Sequence, residues 1–166
     1  MIAIYKRELR AYFHSFLGTL FIGAMLFLLG IYFTVYNLFM GYPYIGYALS
    51  SVVFLFLIGI PILTMRILAE ERHQKTDQLI LTSPVSISGI VFGKFLALST
   101  IFAIPVIIIC FYPLILSIFG EVPFGESYLA VLGFFLYGLA CIAIGIFVSS
   151  LTESQVISAI ISFGIL

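Results

Sequence analysis

The chain has 166 residues, 63% of them hydrophobic and 8% charged, with seven basic residues balancing seven acidic ones to a net charge of zero. Soluble domains carry about 25% charged residues, so this composition excludes an ordinary water-soluble fold. The apolar runs are continuous rather than alternating, which excludes a membrane barrel and leaves helices as the only spanning structure.

A bilayer core of about 30 Å takes about 20 apolar residues per helix. The sequence supplies four or five such runs and predicts an all-α polytopic membrane protein, a single transmembrane domain over residues 1–166. The two cysteines, Cys110 and Cys141, both lie inside apolar runs. They read as small packing residues on opposite sides of the midplane, out of disulfide range.

In chain order, Ile2, Tyr5, Leu9, Tyr12, Phe13 and Phe16 recur at three- and four-residue steps, with Lys6, Arg7, Glu8 and Arg10 on the other face. That pattern predicts an amphipathic helix lying in the interface. The apolar run 16–36 is too long for the core of a signal peptide and has no small-residue cleavage site after it, so it reads as the first span. Residues 35–47 read as an outer loop, with Asn37, Gly41, Pro43 and Gly46 supplying turn chemistry. Tyr36, Tyr42, Tyr44 and Tyr47 cluster there as an aromatic belt. The second span is expected over 47–65, bent by Pro61 near its inner end.

Residues 66–94 form a charged island with four of the seven basic and three of the seven acidic residues. Arg66 with Glu70 and Glu71 with Lys75 are spaced as helical ion pairs, so the helix is expected to continue past the membrane into the cytoplasm. A short second helix is expected to start at Thr76 or Asp77 and to end by Ser83, because Pro84 disfavours helical geometry before it. Its Leu79, Ile80 and Leu81 are too apolar to leave in water. Two explanations stand: docking on a partner, or tucking against the membrane and helix ends.

Ser86 or Ser88 is expected to cap the third span, which enters lipid after Lys94 and runs to Ile118 with Pro105 and Pro113 as sites of kinking or unwinding. The next outer loop, 119–127, holds Glu121 and Glu126. The fourth span, 128–148, is rich in small residues: Gly133, Gly138, Ala140, Cys141, Ala143 and Gly145. These permit close packing inside the bundle or a seam between two chains. A fifth helix from Gln155 would reach only about 18 Å by Leu166, so the sequence reads as a fragment of a longer chain.

Lys6, Arg7 and Arg10 precede the first span, and the remaining Lys and Arg fall between the second and third, while the outer loops have none. This is a positive-inside pattern with the N-terminus in the cytoplasm. Headgroup contact and orientation account for Lys6, Arg7 and Arg10. No ionisable residue is expected in the interior of a span, which disfavours proton coupling through a buried counter-ion pair but leaves sodium sites open. His14 and His73 stand alone, so no metal site is expected. The run Gly89 to Lys94 is a poor phosphate loop, since its glycines are too close and Phe95 stands where Ser or Thr is required. With no nucleotide-binding motif and no catalytic residues, the chain is not itself an enzyme.

Glu70-Glu71-Arg72, then Thr76-Asp77-Gln78-Leu79-Ile80-Leu81-Thr82-Ser83-Pro84-Val85-Ser86, then Ile90-Val91-Phe92-Gly93-Lys94, resembles the first cytoplasmic loop of ABC transporter permeases of the type-2 exporter class. Lys75 stands where the family usually has Gly, and Gln78 where it usually has Glu. The resemblance implies a six-helix permease of the cytoplasmic (inner) membrane that moves substrate out by alternating access. It implies that Thr76, Asp77, Gln78, Leu79, Ile80, Leu81 and Thr82 form the coupling helix on a separate ATPase subunit. Glu70, Glu71, Arg72 and Lys75 then lie on a helical extension of the second span, and Lys6, Arg7 and Arg10 on a connecting helix. Leu79, Ile80 and Leu81 thereby turn towards docking. ATP and Mg²⁺ are expected in the partner ATPase, with a second permease chain and membrane lipid as further partners and no nucleic acid. The alternatives from other classes are a non-transport membrane scaffold that docks a cytoplasmic partner and a sodium-coupled carrier.

Overall fold

The computed structural model describes residues 2–73, 87–152 and 154–166, which hold helices and their connections and no strand. The amphipathic helix α1 spans Ile2–His14 and α2 spans Phe16–Phe33, with Ser15 between them. Ser15 caps α2 by accepting from the Leu17 backbone N–H at 3.3 Å, which takes up one donor of the new helix. The corner is tight enough that a Cβ on Gly18 would press on the Tyr12 carbonyl oxygen.

The first span continues beyond α2 as a π-helical segment, Thr34–Phe39, so it is longer than expected and takes in the start of the expected loop. Asn37 on that segment is buried, and its amide donates to the carbonyls of Tyr42 and Tyr44 at 2.7 and 3.2 Å. Those two bonds fold the outer loop back on its own helix. Gly41, at φ 73°, supplies the left-handed residue that the reversal needs. Tyr42 and Tyr44 both pack their rings on Tyr47.

The second span is broken. Helix α3, Gly46–Val52, meets α4, Phe54–His73, at an angle of 52°. The bend therefore lies at Val53, well before Pro61, which sits inside α4. The physical cause is local: the hydroxyls of Ser50 and Ser51 both donate to the Tyr47 carbonyl at 2.9 Å, and such back-bonding bends a helix. Pro61 lies inside α4 without ending it, and Thr64 Oγ1 donates to the Ile60 carbonyl beside the ring at 2.9 Å. Past the apolar stretch α4 continues as helix through Arg66, Glu70, Glu71 and Arg72 to His73.

Helix α5 spans Ile87–Ile109 with Pro105 inside it, and α6 spans Tyr112–Leu116 with Pro113 in its first turn. The interruption between them at Cys110 and Phe111 follows from Pro113, which has no N–H to return to the helix. Helix α7 spans Phe124–Leu151 and α8 spans Gln155–Ile165. Phe16–Phe39, Ser88–Leu116 and Phe124–Leu151 are each long and apolar enough to cross a membrane; the bent pair α3 and α4 makes a fourth if taken as one span.

The bundle centre is aromatic. Phe56 of α4 meets Phe102 of α5 edge to face at 5.4 Å and Phe134 of α7 at 4.9 Å between ring centres. Gly138 opens the space that the Phe102 ring fills. Helix α4 packs against both α7 and α8, which also touch each other, and α1 packs across α5 and α2. Of the small residues on α7, Gly138, Cys141 and Gly145 face the bundle, while Gly133, Ala140 and Ala143 face outward. Both cysteines are free thiols, as expected.

Candidate functional site at the base of the charged loop

The expected coupling helix, Thr76, Asp77, Gln78, Leu79, Ile80, Leu81 and Thr82, lies outside the described residues, as does Lys75. What the fold does describe is the base from which that stretch departs and to which it returns: the end of α4, the start of α5, and α1 laid against them.

Two hydrogen bonds and one ion pair fasten α1 to this base. Tyr12 is buried and donates its hydroxyl to the Leu63 carbonyl of α4 at 2.8 Å. Tyr5 shares a hydrogen bond with Thr100 Oγ1 of α5 at 3.1 Å. Glu8 Oε1 lies 3.7 Å from Lys94 Nζ of α5, and Lys94 in turn donates to the Ile67 carbonyl of α4 at 2.6 Å. One ammonium thus bridges three helices.

Lys94 has a relative exposure of 0% and Glu8 of 8%. This overturns two expectations. Glu8 does not share the outward polar face of α1; it stands with Tyr5 and Tyr12 on the inward face, at helical spacings of three and four. Lys94 is not a headgroup cation at the mouth of a span but an ionised group in the bundle interior, about 9 Å along the apolar helix Ser88–Leu116 at the usual rise per residue. The pair is tolerable because the Ile67 carbonyl accepts from the ammonium at 2.6 Å and the Glu8 carboxylate, at 3.7 Å, is near enough to offset its charge.

The signal for Lys94 was present in the sequence. Ile90, Lys94, Ala97, Leu98 and Ile101 fall at steps of four, three, one and three, and all five are buried on one stripe of α5. A lysine in register with a core stripe is a lysine pointed inward.

The cations of α1 divide between two environments. Arg7 Nη2 lies 2.6 Å from Glu8 Oε1 and is half exposed, so it closes the polar chain on the outer side. Lys6 and Arg10 are exposed and, with Arg7, Ala11 and His14, line an open recess of about 510 Å³. This recess suits an anionic headgroup by charge and by position on an interfacial helix. Glu70, Glu71 and Arg72 take their places on the last turns of α4, and the ion pairs expected of their side chains lie outside what the structure describes.

Among the described residues, the opposite end of the bundle is without cations. There the two outer loops meet around a recess of about 390 Å³ lined by residues that include Asn37, Tyr42, Phe119 and Glu121.

No curated protein and no solved structure matches this chain. The family model described as ABC-2 family transporter protein matches residues 40–166, from the first outer turn through α8 and including the whole charged island. A match over that share of an all-helical, apolar bundle fixes the kinship: the chain belongs to the ABC-2 transporter family, whose members are membrane permease components rather than nucleotide-binding domains.

Proposed function

We propose that this chain is the permease subunit of an ATP-driven exporter in the cytoplasmic membrane, worked by a separate cytoplasmic ATPase that binds the stretch Thr76 to Thr82. The observation that carries the reading is the family match, since it runs unbroken across the two helices that flank this stretch. Two permease chains enclose the pathway, and two ATPases bring their ATP and Mg²⁺ to it. Closure of the ATPases on ATP pushes the stretch, and the push reaches the bundle through α4 and α5.

The arrangement of the base supports this reading. Helix α4 leaves the apolar region without a break and stays helical to His73, so a load applied beyond it travels along a rod rather than a flexible linker. Leu79, Ile80 and Leu81 supply the apolar anchors of the contact, and Asp77 and Gln78 the polar rim.

The test replaces Leu79 and Leu81 together by Asp in the full chain. Buried carboxylates in an interface core oppose association, so the ATPase should no longer co-purify while the permease still inserts. Undiminished co-purification and ATP turnover would remove this stretch as the contact.

A further inference from the structure

The polar joint under α1 exceeds what anchoring requires. An interfacial helix is held by its apolar face and by headgroup attraction, and neither needs an ionised pair inside the protein. Yet α1 commits Glu8 to the interior, where the carboxylate meets an ammonium that also holds the Ile67 carbonyl of α4. Tyr12 and Tyr5 repeat the arrangement, one bonded to α4 and the other to α5. Each arm of the charged stretch is thus fastened to α1 separately, and Lys94 fastens the arms to each other.

We propose that Glu8 and Lys94 are positioning residues that make α1 and the inner ends of α4 and α5 move as one body when the stretch between the arms is loaded. The proposal rests on the exporter reading for the source of the load. The physical ground is the difference between apolar and ionic contacts in a membrane. Leu and Phe surfaces exchange protein for lipid tails at little cost, so helices in contact through them slide. A buried ammonium cannot leave its acceptors without an uncompensated charge in a low dielectric, so the joint has a registry that sliding would break. Arg7, on the wet side, donates to the same carboxylate oxygen, Glu8 Oε1, at 2.6 Å. A push on either arm therefore carries α1 with it, and α1 carries the start of α2, through the tight corner where Gly18 meets the Tyr12 carbonyl.

The experiment uses the full chain with its ATPase in nanodiscs of phosphatidylethanolamine and phosphatidylglycerol. Nitroxides at Ala11 on α1 and Phe92 on α5, both exposed, report their separation by electron paramagnetic resonance with and without ATP and vanadate. The native pair should keep one narrow distance in both states. Glu8→Gln and Lys94→Met should each broaden it and lower ATP turnover about five- to twentyfold, the usual size of coupling between sites.

The double variant separates positioning from stability. With both charges gone neither member of the Glu8–Lys94 pair is left facing an unpaired partner, so assembly should recover relative to the single variants. The broad distance and slow turnover should persist. Recovery of all three together would mean that the pair serves stability only and would overturn the proposal. So would a nucleotide-dependent shift between α1 and α5 in the native chain. Should no ATPase bind the native chain, the exporter reading fails, while the narrow distance in the native chain and its broadening in the variants still report on the joint.

Discussion

At the scale of single residues, the contact between Gly138 and Phe102 controls how closely α7 approaches α5. A Cβ at position 138 would fall on the Phe102 ring, which already packs against Phe56, Phe134 and Phe135. The ring cannot swing away without displacing those neighbours. Gly138→Val should therefore cost about 1–3 kcal/mol by overpacking and lower the unfolding temperature of the purified chain in detergent. Adding Phe102→Leu should restore part of the loss by opening the space. A Gly138→Val chain that unfolds at the native temperature would show that the two helices do not meet here. The composition of α7 announced that close approach occurs, but not which small residues make it. Gly138 and Gly145 meet Phe102 and Thr64, while Gly133 faces outward with nothing near it. All are small and uncharged, so only the packing of the neighbouring helices distinguishes them. Lys94 was harder to read because its chemistry argued for the surface while its register with Ile90, Leu98 and Ile101 argued for the core, and register prevailed.

At the scale of elements, the order and kind of the helices were legible from run length and apolarity, and so was the continuation of α4 past its apolar stretch to His73. Bends and ends were not. Pro61 is the conspicuous helix breaker in the second span, yet the 52° bend falls at Val53. There the Val53 backbone N–H makes only a long bond of 3.3 Å to the Ser50 carbonyl, and two serine hydroxyls compete for the Tyr47 carbonyl. Serine is unremarkable in a sequence scan for breaks; two in succession sharing one acceptor are what bend this helix. Replacing Ser50 and Ser51 together by Ala removes the competition and raises helix propensity at both positions. In nanodiscs the amides of Val53 and Phe54 should then exchange hydrogen about tenfold more slowly, as local opening becomes rarer. Pro61→Ala should leave exchange at those two amides unchanged. The reverse result, with Pro61→Ala protecting them and the serine pair silent, would return the bend to the proline.

At the scale of the whole molecule, the two ends of the bundle differ in charge, and the fold gathers what the sequence had separated. Contacts between Tyr12 and Leu63 and between Lys94 and Ile67 bring the amphipathic helix, the end of α4 and the start of α5 to a common end. Every Lys and Arg of the chain belongs to that end or to the stretch leaving it, while the far end holds Glu121 beside the loop that Asn37 folds. Cationic residues tend to be retained on the cytoplasmic side during insertion, so this segregation predicts that α1 and the charged stretch face the cytoplasm. The test uses a chain with Cys110 and Cys141 replaced by Ala and one new cysteine, at Glu121 or at His14, both exposed. A membrane-impermeant maleimide added to intact cells should modify the Glu121→Cys chain at once and the His14→Cys chain only after permeabilisation. The opposite pattern would put α1 and the charged stretch outside the cell, away from any ATP, and no cytoplasmic ATPase could then act on them. Equal labelling of both in intact cells would mean mixed insertion and would count equally against a cation-set orientation.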